Sequence, residues 1–289
     1  MAQGAHLQAR PLETSRPMLA PYWGVPTSYL NFCEEDYFVT KYIAEFINTL
    51  SSLTYVVYGL YGLSHARRSG ASGPRLISYC GLIGVGVCSA GYHMTLKYYT
   101  QMSDELSMHL LTAPLLYRVL TFQTNPRCAK WTGIGLFALF TLIMVTHMVM
   151  DEFLLHAATF AVSVYVIATR MLKLITAQVP DAHIEDRFRK TAALGLASFG
   201  LGYLFWLVDS WTCWLLTDMR HAVGLPWAFL LELHGWWHVF TCIGGYIAVA
   251  LVDMLTSGRV AEDPTASLAW PVSVVGRYID EAGTGHVKQ

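Results

Sequence analysis

Charge is what this chain has least of. Only 13% of its 289 residues are Asp, Glu, Lys or Arg, against 54% apolar, where a soluble domain carries about 25% charged residues. That shortage points to a bilayer, and with a net charge of −1 and no basic cluster it sets nucleic acid aside as a partner. Cysteine is scarce as well. Six thiols are too few for a disulfide scaffold, and four of them lie within or beside apolar runs or in stretches assigned below to the cytosolic side. The first 30 residues hold Pro, Arg and Glu but no apolar h-region, so no cleavable signal peptide is expected and the first apolar run acts as the insertion signal. Nothing marks an obligate protein partner.

What is present is a series of long apolar runs. A spanning helix needs roughly 20 mostly apolar residues, and seven segments qualify, at about 42–64, 76–97, 103–123, 131–150, 153–175, 191–216 and 232–256. Lipid admits only helices or closed barrels, and these runs are too long and continuous for barrel strands. The expected fold is therefore all-α, a polytopic seven-helix bundle. It divides into an N-terminal segment 1–40, a transmembrane domain 41–256 and a C-terminal tail 257–289.

Lys and Arg fall on alternate connections: Arg67, Arg68, Arg75, Arg127, Lys130, Arg187, Arg189 and Lys190 on one side. The other side holds only Lys97 and Arg220, with Asp104, Glu105, Asp151 and Glu152. The positive-inside rule then places the N-terminus in the lumen or exterior and the C-terminus in the cytosol. Cys33 and Cys213 both fall on the oxidising side, where a bridge persists; two small buried thiols are the plainer reading.

Ionisable residues at membrane depth are costly and face a cavity or a partner. Here Glu45, His93, Asp104, His147, His156, Asp209, Glu232, His234 and His238 gather in one layer toward the lumenal end. In "LELHGWWHVF", 231–240, His234 and His238 are four apart and share one helix face. Such a pair supplies two nitrogens to zinc, which needs a third protein ligand in a catalytic site. The plainer reading is interfacial histidines beside an aromatic belt of Trp236 and Trp237. No Glu stands between the histidines as in soluble zinc proteases, so a general base has to come from another helix, and Asp104 is best placed. In "CSAGYHMTLKYYTQMSDEL", 88–106, Ser89 lies one turn from His93, and Asp104 follows eleven residues later. Ser89 also reads as a small packing residue and Asp104 as a charge on a helix dipole. Residue chemistry leaves His93, His109, His147 and His156 all open as the third ligand.

The segments "NFCEEDYFVTKYIAEFINT" (31–49), "SAGYHMTLKYYTQMSDEL" (89–106) and "ELHGWWHVFT" (232–241) resemble the alkaline ceramidase family, within a wider group of seven-helix membrane hydrolases that includes the adiponectin receptors. The resemblance runs from about Tyr22 to the seventh helix. It implies an intramembrane zinc amidase that hydrolyses ceramide to a sphingoid base and a free fatty acid in an endoplasmic reticulum or Golgi membrane. It implies His93, His234 and His238 as zinc ligands, Ser89 and Asp104 as catalytic residues, and a bridge between Cys33 and Cys213. It also implies a calcium site built from Asn31, Phe32, Glu34, Asp36 and Glu45. Where the family has Asp, Trp and Asn, this chain has Asn31, Phe32 and Asp36, so the number of acids is kept and Phe32 offers only its carbonyl. Asp209 is expected either to orient a zinc histidine or to make a structural contact. The competing readings are a seven-helix lipid receptor and a proton or solute transporter. Neither requires three histidines with Asp104 in one layer.

Overall fold

The computed structural model describes residues 19–71, 73–150 and 153–285, and Asp151 and Glu152 of the acidic connection lie outside them. The architecture is all-helical: α1 Phe46–Arg68, α2 Pro74–Thr95, α3 Tyr98–Thr121, α4 Pro126–Met150, α5 Phe153–Gln178, α6 Ala182–Val223, α7 Leu233–Thr256 and a short α8 Val272–Gly285. Single 3-10 turns at Trp227–Leu231 and Pro264–Ser267 precede α7 and α8.

Five helices, α2, α4, α5, α6 and α7, are long and apolar enough to cross a membrane. α1 and α3 have the length and lack the apolarity, for a physical reason. Their polar residues, among them Asn48, Ser52, Gln101, Glu105 and His109, are buried inside the bundle. α4 is the reverse. Among its described residues only His147 is buried, while Phe137, Leu142 and Val149 stand outward.

Several boundaries differ from the expected ones: α1 runs four residues later, α4 starts five earlier and α6 ends seven later, and two further shifts have clear local causes. α6 begins nine residues before the expected 191, because Asp181 accepts the N–H groups of His183 and Ile184 at 2.8 and 3.0 Å. The pairs Glu185–Arg189 and Asp186–Lys190 then carry the charged turns. The helix is broken at Thr212, which leaves helical geometry. α3 starts at Tyr98 rather than 103, so Asp104 lies inside its second turn instead of opening it. The stretch after α7 is folded back: Leu268, Ala269 and Val272 are buried, and Ala269 N–H donates to Tyr246 Oη at 3.0 Å.

The segment before α1 is stitched to the end of α2. Ala44 and Glu45 N–H donate to the carbonyls of Met94 and His93 (3.1 and 3.0 Å), and Thr27 N–H donates to Leu96 (2.9 Å). These bonds satisfy the carbonyls a helix end leaves orphaned. Leu96 takes left-handed geometry (φ 49°), which turns the chain into α3 within two residues and sets His93 and Asp104 on neighbouring helices.

At the far end of the bundle an ion cluster went unforeseen. Asp253 of α7, almost fully buried, accepts two hydrogen bonds from Arg75 at 2.8 Å and one from Arg118 at 3.0 Å. Removing one partner of such a cluster costs about 3–5 kcal/mol, because the remaining charges stay buried and unpaired. An Asp253→Ala variant is therefore expected to lose several degrees of thermal stability in detergent without loss of bound metal, as melting and metal analysis can test.

Candidate active site

His234 and His238 stand on the first turns of α7 and His93 on the last turn of α2. Their ligand nitrogens all lie within 4.8 Å of one another, and the three residues are 1–3% exposed. Two glycines permit this closeness. A Cβ on Gly235, between the α7 histidines, would come within 2.9 Å of Ile47 on α1. A Cβ on Gly86 would come within 2.9 Å of the Ser52 carbonyl, so the backbones of α1 and α2 approach closely there.

The neighbours fix which nitrogen carries the proton in two of the three rings. His93 Nδ1 meets the fully buried Glu45 carboxylate, an acceptor, so Nδ1 holds the hydrogen and Nε2 keeps its lone pair. His238 Nδ1 is 2.9 Å from Ser51 Oγ, whose own hydrogen goes to the Asn48 carbonyl at 3.1 Å. Ser51 therefore accepts, and His238 Nε2 is likewise left as a lone pair. His234 keeps a buried Nδ1 with no partner and stacks on Phe32, ring centroids 3.7 Å apart. Converging imidazole lone pairs in a dry site suit a soft divalent cation, and a carboxylate behind a ligating imidazole is the usual outer support. The residues present fit a zinc ion.

Ser89 lies one turn before His93, with its hydroxyl 3.0 Å from Ser52 Oγ and in contact with the Asp104 carboxylate. Asp104 thus enters from α3 beside the histidines. Beneath them an apolar cavity of about 90 Å³ runs down the bundle, lined by Tyr55, Leu111, Ile167, Phe199, Thr241 and Gly245 among others. Thr241, one turn below His238, pairs with Tyr55 at 2.6 Å.

The acidic N-terminal motif abuts this centre. Asn31 Nδ2 is 3.3 Å from Asp36 Oδ2, and the Phe32 N–H donates to Glu45 at 3.2 Å. Glu34 accepts the N–H groups of Ile47 and Asn48 at 2.6 and 2.8 Å, and so caps α1 from outside it. Burial and the neighbouring Glu45 carboxylate raise Glu34 to about 8 and Asp36 to about 7. Asp36 Oδ1 and Asn48 Oδ1 are buried without partners. Crowded acids and orphaned oxygens fit a hard cation such as calcium. Among the described residues, the oxygens of Glu34, Asp36 and Glu45 do not close up as tightly as the imidazoles do.

Cys33 is bonded to Cys213, Cα atoms 5.3 Å apart, just past the α6 break. This anchors the motif to the bundle. Asp209 accepts the backbone N–H groups of Cys33 (3.3 Å) and of His234, and therefore steadies His234 through its main chain rather than its ring. Three supporting groups were missed in the sequence: Ser51, Ser52 and Arg220. Arg220 pairs with Glu232, the residue before α7, and donates to the Cys33 carbonyl at 2.7 Å. Only the serines' place one turn after Asn48 hinted at a role. The remaining imidazoles, His109, His147 and His156, form a separate cluster between α3, α4 and α5.

Fold and site together define a membrane-embedded helical protein with a buried three-histidine centre above an apolar slot. A ceramidase family model matches residues 24–279. The chain is 30% identical to alkaline ceramidase 3 of Mus musculus over 79% of its own length and 84% of the relative's. It is 30% identical to alkaline ceramidase YPC1 of Saccharomyces cerevisiae (81% and 78%) and 28% identical to putative alkaline ceramidase dcd3B of Dictyostelium discoideum (78% and 85%). The chain belongs to the ceramidase family and is a ceramide-hydrolysing enzyme.

Proposed function

We propose that the chain is a zinc-dependent, calcium-regulated amidase that cleaves ceramide into a sphingoid base and a free fatty acid. It would act within an endoplasmic reticulum or Golgi membrane, as a seven-helix protein with a lumenal N-terminus and a cytosolic C-terminus. The observation that carries this is the meeting of His93, His234 and His238, two with tautomers set to leave Nε2 bare, beside a carboxylate and over an apolar slot.

His93, His234 and His238 would hold the zinc, with Glu45 and Ser51 behind two of them. A zinc ion held there would supply Lewis-acid chemistry, lowering the pKa of water to about 7 and polarising an amide carbonyl. Asp104 takes the proton from the attacking water and returns it to the departing amine. Ser89 gives its one hydroxyl hydrogen to Asp104 at rest; once Asp104 has taken the proton, Ser89 would be free to donate instead to the oxygen on which charge develops, a contribution of about 3 kcal/mol. The apolar cavity takes an acyl-type chain, leaving the amide at the level of the histidines. Cys33–Cys213, Asp209 and Arg220 hold the N-terminal segment against that level.

The direct test pairs zinc content of the purified chain with ceramide cleavage in micelles. Chelation is expected to abolish cleavage and zinc to restore it, and a fully active metal-free protein would sink the reading. Glu45→Gln should retain zinc more weakly, by about 10–100-fold, because the amide lacks the negative charge that raises the basicity of His93 and can present its NH2 as readily as its oxygen. Competition with a chelator of known affinity measures this. Calcium at a hundred times its Kd would contribute about 2.7 kcal/mol to the folded state. Its selective removal is expected to lower both Tm and turnover, and no change in either would remove calcium from the proposal.

A further inference from the structure

Beyond the proposed active centre lies a second set of converging ligands. Glu105 of α3, His147 of α4 and His156 of α5 bring their ligand atoms within 4.8 Å of one another, as close as the histidines of the first site. All three are buried, with His147 fully enclosed. Glu105 meets His147 Nε2 and accepts from Gln101 Nε2 at 2.8 Å. The rings of His147 and His156 stack with centroids 5.3 Å apart. His109 joins from α3, its Nε2 3.1 Å from His156 Nδ1, while its own Nδ1 is buried without a partner.

We infer that Glu105, His147 and His156, with His109 beside them, form a second metal site, structural in role and suited to a zinc-type divalent cation. Three arguments carry this. The donor set, imidazole nitrogens with one carboxylate, is the one such cations select. One carboxylate and three imidazoles inside an apolar bundle are costly unless a partner offsets them, and a cation neutralises the acid while using the lone pairs. The ligands also come from three helices, and α4 contributes to the cluster its one fully buried residue among those described, His147. Its other inward contacts are only partly buried, as with Leu136 and Phe140 against the core. A cation here would lash α4 and α5 to α3. Glu105 follows Asp104 in sequence, so the same cation would steady the turn of α3 that carries the proposed base.

The test counts metal in the full-length chain purified in detergent, with calcium held saturating. Metal-stripped wild type titrated with Co2+, followed by its visible absorption, is expected to saturate at two equivalents. Zinc analysis should find one equivalent in His147→Ala/His156→Ala and one in His93→Ala/His234→Ala. Wild-type saturation at one equivalent, lost in His93→Ala/His234→Ala, overturns the second site and leaves a metal-free hydrogen-bonded network. Saturation at one equivalent that survives that variant and is lost in His147→Ala/His156→Ala supports the second site and overturns the proposed catalytic centre instead. The wild-type count needs no variant to fold. The milder His156→Gln, expected to release the second equivalent first during chelation, guards against collapse of the double variant, and unchanged release of both overturns the site.

Discussion

His234→Ala is expected to leave the folded chain without the proposed catalytic zinc and with ceramide cleavage at background, a loss of at least about a thousandfold or roughly 4 kcal/mol in the barrier. The reason is geometric. A catalytic zinc rests on three protein ligands, and the three imidazoles here are buried with, among the described residues, no fourth imidazole at the same point. His109, His147 and His156 are engaged in their own cluster and cannot substitute. The alanine also removes the ring that stacks on Phe32, so some loss of stability accompanies the loss of metal. His234→Gln separates the two effects: it refills most of the volume and stays a poor ligand. It should melt close to wild type and remain inactive. Metal analysis, melting curves and cleavage assayed on the same preparations decide the matter, and full cleavage by either variant ends the zinc-amidase reading.

The histidine pair was legible in sequence because i, i+4 spacing on a helix is a strong geometric statement, and the all-helical membrane class followed from the run lengths. The third ligand was not legible by the same physics. Four other imidazoles were open to that role, His93, His109, His147 and His156, and periodicity says nothing about which helices are neighbours. The structure sorts them into His93 with the α7 pair and His109, His147 and His156 apart from it. The family resemblance had picked His93 for reasons outside residue chemistry. The start of α6 was hidden because residues 182–190 are charged and read as a loop, although Asp181 and two i, i+4 ion pairs make them helical. Asp253 with its two arginines was invisible for another reason: the partners sit 178 and 135 residues away. Only topology that brings the start of α2 and the end of α3 to the end of α7 reveals them.

Asp104→Asn is expected to keep zinc and fold while turnover falls by about 10²–10⁴-fold, the range general-base catalysis contributes. The carboxamide has the shape of the carboxylate and can still meet Ser89, but it cannot take a proton from water. Because the Asp104 carboxylate is bonded to Ser89 rather than offered as one of the three converging ligands, metal content should not move, and the loss should fall on kcat with KM little changed. The neighbouring acid is the control. Successive residues on a helix point about 100° apart, and Glu105 turns away to His147, Gln101 and Tyr29. Glu105→Gln should therefore spare the chemistry of proton transfer and act through α3's anchorage, with its main mark on stability. Unchanged turnover in Asp104→Asn would remove it as the base. A larger kcat loss from Glu105→Gln than from Asp104→Asn would move that role one residue along α3.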